Sequence, residues 1–143
     1  MILADLTTHL LTFVDLTTKI GDRVYSNRAP RGTASPYILL GLVGGNPYYT
    51  LSGEAEVAQP TIEVACWATD PGGAYAANEV ADLVRSKISG WRGEWGDTFV
   101  CDCSLESEPF DLVDEPPDGS DNWIHGVTQT YRVTHRRAAP TLS

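Results

Sequence analysis

The chain has 143 residues, of which 42% are hydrophobic, and a formal net charge of −9 at pH 7. This length predicts one domain, 1–143, with enough apolar residues to close a core. A transmembrane helix is not expected, because no run of about 18 apolar residues exists. The acidic balance argues against DNA binding as the main function. No basic leader precedes the N-terminal apolar residues, so we expect a protein of the cytoplasm that made it.

The spacing of apolar residues predicts two helices and five strands. In chain order they are a helix at 2–20, strands at 22–25, 37–43 and 61–69, a helix between Asp70 and Gly90, and strands at 98–105 and 122–135. This order is typical of an α+β domain, with two helices packed on one mostly antiparallel sheet with a long hairpin. Residues 136–143 are expected to be a flexible tail.

The helix at 2–20 carries leucines at near-helical spacing, and Gly21 is expected to end it. His9 is expected on its solvent side. The strand at 37–43 is apolar nearly throughout, which predicts cover on both faces. The cluster at 44–47, Gly-Gly-Asn-Pro, predicts a turn.

Residues 48–59 are predicted to form the tip of a long hairpin. Tyr48 and Tyr49 would then be exposed, as a contact surface or with one ring packed on its own hairpin. The strand at 61–69 should bury alternate residues on one face. These residues are Ile62, Val64, Cys66 and Ala68. Asp70 is the expected N-cap of the second helix, Pro71 its first residue and Gly90 its stop. This strand and helix, 60–89, are expected to anchor the core.

Trp91 and Trp95 either close one end of the core or lie in a subunit contact. One face of the strand at 98–105 is expected to hold the alternate residues Phe99, Cys101, Cys103 and Leu105. Residues 106–121 are predicted to be an acidic loop, with Phe110, Leu112 and Val113 available to pin it locally.

No motif points to catalysis. The three cysteines, Cys66, Cys101 and Cys103, form no CxxC pair and are expected to be free thiols, buried or half-buried. The histidines lack zinc-site spacing, and neither a GxSxG motif nor a phosphate-binding loop is present. We therefore expect no catalytic residues, no cofactor and no metal, and a protein that is not an enzyme.

Acidic residues are concentrated between Arg92 and Arg132, where no Lys or Arg occurs. They are Glu94, Asp97, Asp102, Glu106, Glu108, Asp111, Asp114, Glu115, Asp118 and Asp121. Such a segment is either a solvated surface loop or a surface that repels nucleic acid or meets a basic partner.

Several stretches resemble the tail completion (tail terminator) family of long-tailed bacteriophages and related gene transfer agents. They are GDRVY at 21–25, RAPRG at 28–32, SPYILL at 35–40 and IEVACWA at 62–68, followed by a helix with Ala76, Ala77 and Arg85. The resemblance covers most of residues 2–90. The acidic segment at 106–121 is not part of the family pattern.

The resemblance implies a structural virion protein at the head–tail interface. Such proteins resemble a hexameric ring that caps the tail tube, halts its growth and offers a surface to the head connector. DNA passes through the ring without specific binding. The implied partners are further copies of this chain, the tail tube protein and the head-completion or connector protein, with no membrane and no catalytic residues to carry over.

Candidate contact residues of such a ring lie in the connector, the hairpin and the acidic segment. They are Arg28, Arg31, Tyr48, Tyr49, Glu106, Glu108, Asp111, Asp114, Glu115, Asp118 and Asp121. Six copies would carry 6 × −9 = −54, some of it lining the bore. The two arginines are surface charges or partners of a neighbour's acids. The alternative function is a small acidic adaptor that binds a basic protein.

Overall fold

The computed structural model describes residues 2–50, 53–107, 109–116 and 121–136, without the side chains of 45–56. Within these ranges three helices and seven strands follow one another along the chain. They are α1 (Ile2–Leu10), α2 (Val14–Ile20), β1 (Val24–Ser26), β2 (Tyr37–Thr50), β3 (Gly53–Thr69), α3 (Gly73–Ile88), β4 (Gly93–Trp95), β5 (Thr98–Leu105), β6 (Phe110–Asp114) and β7 (Ile124–Arg136).

The predicted first helix is two helices, so the expectation of two helices in all is wrong. The break lies at 11–13, where the Thr12 hydroxyl donates to the His9 carbonyl at 2.7 Å and Phe13 adopts an extended conformation. A threonine side chain that bonds to nearby backbone competes with the helical hydrogen-bond ladder. The helix that follows ends at Gly21, as predicted, with φ of 61°.

The strands form one sheet in the order β1-β2-β3-β7-β5-β4, with β6 also paired to β7. β1 runs parallel to β2, so the sheet is mixed, and the predicted α+β class is right while the antiparallel description holds only for the other pairs. β5 and β6 lie end to end along the same edge of β7. β5 pairs with its second half and β6 with its first half.

One face of the sheet, the helix face, carries the core. The predicted inward face of β3 is confirmed, because Ile62, Val64 and Cys66 are fully buried. Their cross-strand neighbours on β7 are Tyr131, Gln129 and Val127, which are buried too. Leucines and isoleucines of α1 and α2 and the inner stripe of α3 pack on this layer. Trp95 is also fully buried, so this tryptophan closes one end of the core.

The opposite face, the open face, carries no helix among the described residues. The expectation that β2 is covered on both sides is therefore wrong for the single chain. Ile38 and Leu40 are buried on the helix face, but Leu42 is 50% and Val43 54% exposed. The cover stops at Leu40, which is also the last residue of β2 that pairs with β1.

The predicted hairpin exists and is longer than expected. β2 and β3 pair from Tyr37–Trp67 to Thr50–Gly53, so the cluster at 44–47 lies within a strand rather than in a turn. Two register shifts, one before Gly44 and one after Pro47, accommodate the glycines and the proline. Tyr48 and Tyr49 lie in β2, and their side chains are outside the described part of the structure.

The start of α3 also differs from the prediction. The helix begins at Gly73, after Gly72 in the left-handed conformation, and Pro71 lies outside it. Asp70 still caps it, because its Oδ1 accepts a hydrogen bond from the Gly73 amide at 3.1 Å. At the other end Gly90, with φ of 76°, follows the last turn as predicted.

Candidate assembly surfaces

The connector after β1 presents two arginines to solvent. Arg28 and Arg31 are exposed and form no ion pair with any described residue. The base of the connector is fixed by Arg23, whose Nε donates to the Pro36 carbonyl at 3.0 Å. Both predicted contact arginines are therefore held on an anchored segment at the β1 end of the sheet.

An apolar groove of about 260 Å³ lies beside this connector on the open face. It is lined in part by Asn27, Leu39, Leu42, Val43 and Trp67. Two of these residues, Leu42 and Val43, are about half exposed in the single chain. Exposed aliphatic side chains beside charged ones are typical of a protein contact surface, with an apolar centre and a polar rim.

The acidic segment is not a simple loop, because its middle forms β6. All five residues of β6 are exposed, so Phe110, Leu112 and Val113 do not pin the segment to the core. Their exposed fractions are 52%, 38% and 55%. Asp111 and Asp114 lie among them, on the strand itself. The segment therefore offers apolar and acidic side chains together.

The predicted acidic contact residues divide into two groups. Glu106 pairs with Arg132 of β7 at 2.5 Å, so its charge is balanced within the chain. Asp111, Asp114, Glu115 and Asp121 are exposed and make no ion pair with the described residues. Glu108 and Asp118 lie outside the described residues.

A second groove, of about 240 Å³, separates β6 from the first half of α3. Its floor holds His125, whose Nε2 lies 2.9 Å from Oδ1 of Asp70, without the alignment of a hydrogen bond. The imidazole beside Asp70 and the Gly73 amide hold the pKa of this carboxyl below its usual value. This contact joins the β3–α3 connection to β7, which is a structural role.

Potential metal ligands and the three thiols were the remaining candidates for a reactive site among the described residues. Across residues 2–50, 53–107, 109–116 and 121–136, no three His, Cys, Asp or Glu side chains are grouped to hold a metal ion. Burial raises the pKa of the Cys66 thiol to about 12, so the thiol stays protonated and is a poor nucleophile. Cys103 is buried and Cys101 partly buried, and all three cysteines are free, as predicted.

His9 was expected to face solvent, and this is wrong. Its ring is buried among the rings of Phe13, Trp91 and Trp95, at centroid distances of 5.0, 4.4 and 5.5 Å. Its Nε2 lies 3.3 Å from the Lys87 carbonyl. Burial lowers the pKa of His9, which keeps the imidazole neutral near pH 7.

The third candidate surface is the outer part of the β2–β3 hairpin. β3 pairs with β7 only from Val57 onward, so the described residues of 45–56 pair only across the hairpin itself. Residues 45–47 pair with 58–60, within the three-stranded part of the sheet. The described arm beyond it is therefore 48–50 and 53–56, roughly 13 Å long at about 3.3 Å per residue. Sequence reasoning found the arm, but it missed the apolar residues Leu42, Val43 and Phe110 as surface features.

A small α+β module with helices on one sheet face, open strands at both ends and a projecting arm is suited to structural assembly. The chain belongs to the family described as Tail completion protein gp17, whose match covers residues 4–134. It is thus a virion protein, a structural component of a phage-type tail, and the resemblance noted in the sequence is confirmed.

Solved structures share the fold. A chain from a structure titled "Virion of native gene transfer agent (GTA) particle" superposes with a TM-score of 0.71 at 16% sequence identity. The match covers 94% of this chain and 93% of that chain. At this identity the likeness concerns the fold alone. No curated protein sequence matches the chain. The described residues contain no helix with the length and apolar content needed to cross a membrane.

Proposed function

We propose that the chain is a tail terminator, a protein that assembles into a hexameric ring, caps the tail tube and stops its polymerisation. The ring joins the tail to the head connector, and DNA passes through its centre. Membership of the tail completion family is the observation that carries this proposal. A structural role without catalysis is part of the proposal, in keeping with this family.

The sheet supports assembly because each end has a strand with an unsatisfied edge. β1 pairs only with β2, and β6 pairs only with β7, among the described strands. Unpaired strand edges are surfaces at which another chain can add. A protomer with two different open ends can contact one neighbour on each side, which is the requirement for a ring.

The hairpin arm supports contact beyond the protomer. A two-stranded ribbon is marginally stable in water without a third strand or a helix against it. The described arm residues 48–50 and 53–56 have neither among the described residues. Contact with a neighbouring subunit or with the tube would stabilise it. The acidic charge of the chain also suits a bore through which DNA slides without binding to the wall.

The test uses the full-length chain and the tail tube protein encoded with it. Electron microscopy of tubes grown in its presence should show a ring at the tube end and short tubes of limited length. A matched variant with 45–56 replaced by a two-residue turn should bind tubes less well. Tubes that grow unchanged and carry no density at their ends would contradict the proposal. A one-to-one complex of the monomer with a basic partner would favour the adaptor function.

A further inference from the structure

Exposed charges of opposite sign lie at the two ends of the sheet. Arg28 and Arg31 follow β1 at one end, and Asp111 and Asp114 lie on β6 at the other. Four strand spacings of about 4.8 Å separate β1 from β6, or roughly 19 Å. This distance is several times that of an ion pair, so the two groups cannot neutralise each other within one chain.

Three other basic residues are engaged in ion pairs within the chain. Lys19 pairs with Glu79 at 2.6 Å, Lys87 with Asp15 at 2.7 Å, and Arg132 with Glu106. These pairs join α2 to α3 and β5 to β7. The connector arginines are exposed, make no ion pair within the described part of the chain, and lie directly after β1.

Exposed apolar side chains accompany the free charges at both ends. Leu42 and Val43 lie beside the connector, in the groove that Asn27 also lines. On β6, Phe110 and Leu112 share one face with Asp114, and their exposed fractions are 52% and 38%. Each end therefore has an apolar patch with charges around it, and the charges of the two ends are opposite in sign.

We infer that copies of this chain associate head to tail, with the β6 edge of one copy docked against the β1 connector and its groove in the next. Phe110 and Leu112 pack against Val43 and the apolar groove, and Asp114, with Asp111 on the same strand, meets Arg28 and Arg31. The occupant of each surface is a second copy of this chain. The inference rests on the proposed ring, and it names the surfaces that close it.

Charge explains why these two ends meet and like ends do not. Each copy carries −9, so two copies repel one another unless a local contact brings opposite charges together. A contact between two β6 edges would place four free aspartates together, and like charges across an interface are strongly unfavourable. Contact between unlike ends is heterologous, and it generates a closed ring when the rotation per subunit closes.

The test uses two double charge reversals. Arg28→Glu with Arg31→Glu makes both ends acidic, and Asp111→Lys with Asp114→Lys makes both ends basic. Each variant alone should need at least roughly 10-fold more protein than wild type to assemble. An equimolar mixture should regain assembly as alternating copies, because each junction then joins unlike charges. Mass photometry and electron microscopy give the readout, and far-UV circular dichroism checks that each variant is folded.

Matched controls carry the same change in charge elsewhere. Arg85→Glu with Arg92→Glu, and Asp82→Lys with Asp97→Lys, alter exposed residues away from β1 and β6 and should assemble like wild type. In the equimolar mixture of the two test variants, raising the salt concentration should weaken association, because the ion pairs between unlike copies are exposed and are screened by salt.

The outcomes separate this inference from the proposed function. If either test variant alone assembles like wild type, or if the folded pair fails to associate when mixed, the inference is wrong while the ring can stand. If the pair associates but neither it nor wild type closes into a ring, the contact is right and the proposed function is wrong. If the aspartate variant loses binding to tube protein but assembles alone normally, β6 faces the tube and the inference is wrong.

Discussion

A close contact between Gly126 and Trp67 gives the sharpest stability prediction. The two residues are cross-strand neighbours on β7 and β3, on the open face. A Cβ atom added to Gly126 would lie 2.6 Å from Cζ3 and 2.7 Å from Cε3 of the Trp67 ring. Real Cβ atoms do not approach other heavy atoms this closely, so either the indole or the strand would have to move. The Trp67 ring leaves no room for a side chain at position 126. The backbone there does not have the positive φ that would itself favour glycine.

The change Gly126→Ala should destabilise the fold by about 1–2 kcal/mol. Overpacking of a packed site costs about 1–3 kcal/mol, and loss of glycine's freedom in the unfolded chain returns about 0.4–1 kcal/mol. The melting temperature should fall by roughly 3–7 °C, because 1 kcal/mol corresponds to about 3 °C for a domain of this size. Gly41→Ala on β2 is the matched control, because its added Cβ would lie an ordinary 3.6 Å from Asn27. This control should be neutral or slightly stabilising.

Chemical denaturation of four proteins tests the steric explanation. They are wild type, Gly126→Ala, Trp67→Ala and the double variant. If the ring is the obstacle, Gly126→Ala should cost nothing once Trp67 is alanine, and the two changes should couple by about 1–3 kcal/mol. Equal costs in both backgrounds, or a stabilising effect in wild type, would refute the reasoning.

Three further predictions concern buried groups. As the pH is lowered from 8 to 5, the unfolding free energy of wild type should fall relative to that of His9→Phe. Burial lowers the pKa of His9 in the folded protein below its unfolded value, so protonation favours the unfolded chain. A difference that does not change with pH would contradict this. In the native protein a thiol reagent should modify Cys101, which is partly buried, much faster than Cys66, whose pKa burial raises to about 12; equal rates without denaturant would contradict this. Tyr131→Phe should cost about 1–3 kcal/mol in urea unfolding, because the phenol donates to Gln129 Oε1 at 2.9 Å in the core; a neutral change would show that another donor replaces it.

The central strand and helix were the most predictable part of the fold. Alternation along 61–69 identified the buried face of β3, because that strand lies between two others with helices against one side. The glycines at 21 and 90 marked helix ends correctly, because a residue after the last turn often needs positive φ. These signals are local, and a single sequence carries them.

Failures arose where long-range packing overrode a local pattern. A histidine on an apparently polar helix face gives no sign that three aromatic rings will cover it, and two of these rings, Trp91 and Trp95, lie more than 80 residues away in the chain. The turn predicted at 44–47 failed because β3 pairs across it and register shifts absorb the breakers.

Strict alternation also failed in β5. A register shift between Val100 and Asp102 moves Cys101 out of step, so Val100 and Cys103 are buried while Phe99 and Cys101 are only partly so. A β-bulge inserts one extra residue into a strand. The side chains before the bulge then point to the opposite face of the sheet from the one that simple alternation predicts. No residue type in this segment signals the bulge, so the predicted shared face of Phe99, Cys101, Cys103 and Leu105 could not be corrected from sequence.

The candidate surfaces were predictable in charge but not in shape. Composition located the acidic segment and the two connector arginines. It could not show that Glu106 is neutralised by Arg132, or that β6 joins the edge of β7. Those facts depend on which strands become neighbours, and that is decided by the whole sheet.

The placement of β6 allows its sequence to change without changing the fold. This strand contributes no buried side chain, and its hydrogen bonds reach only the outer edge of β7. Its residues can therefore be exchanged one by one with little penalty to folding, since substitutions at exposed sites usually change stability by no more than about 0.5 kcal/mol. During evolution the sequence of β6 can therefore change to suit a different binding partner, while the residues of the core stay the same.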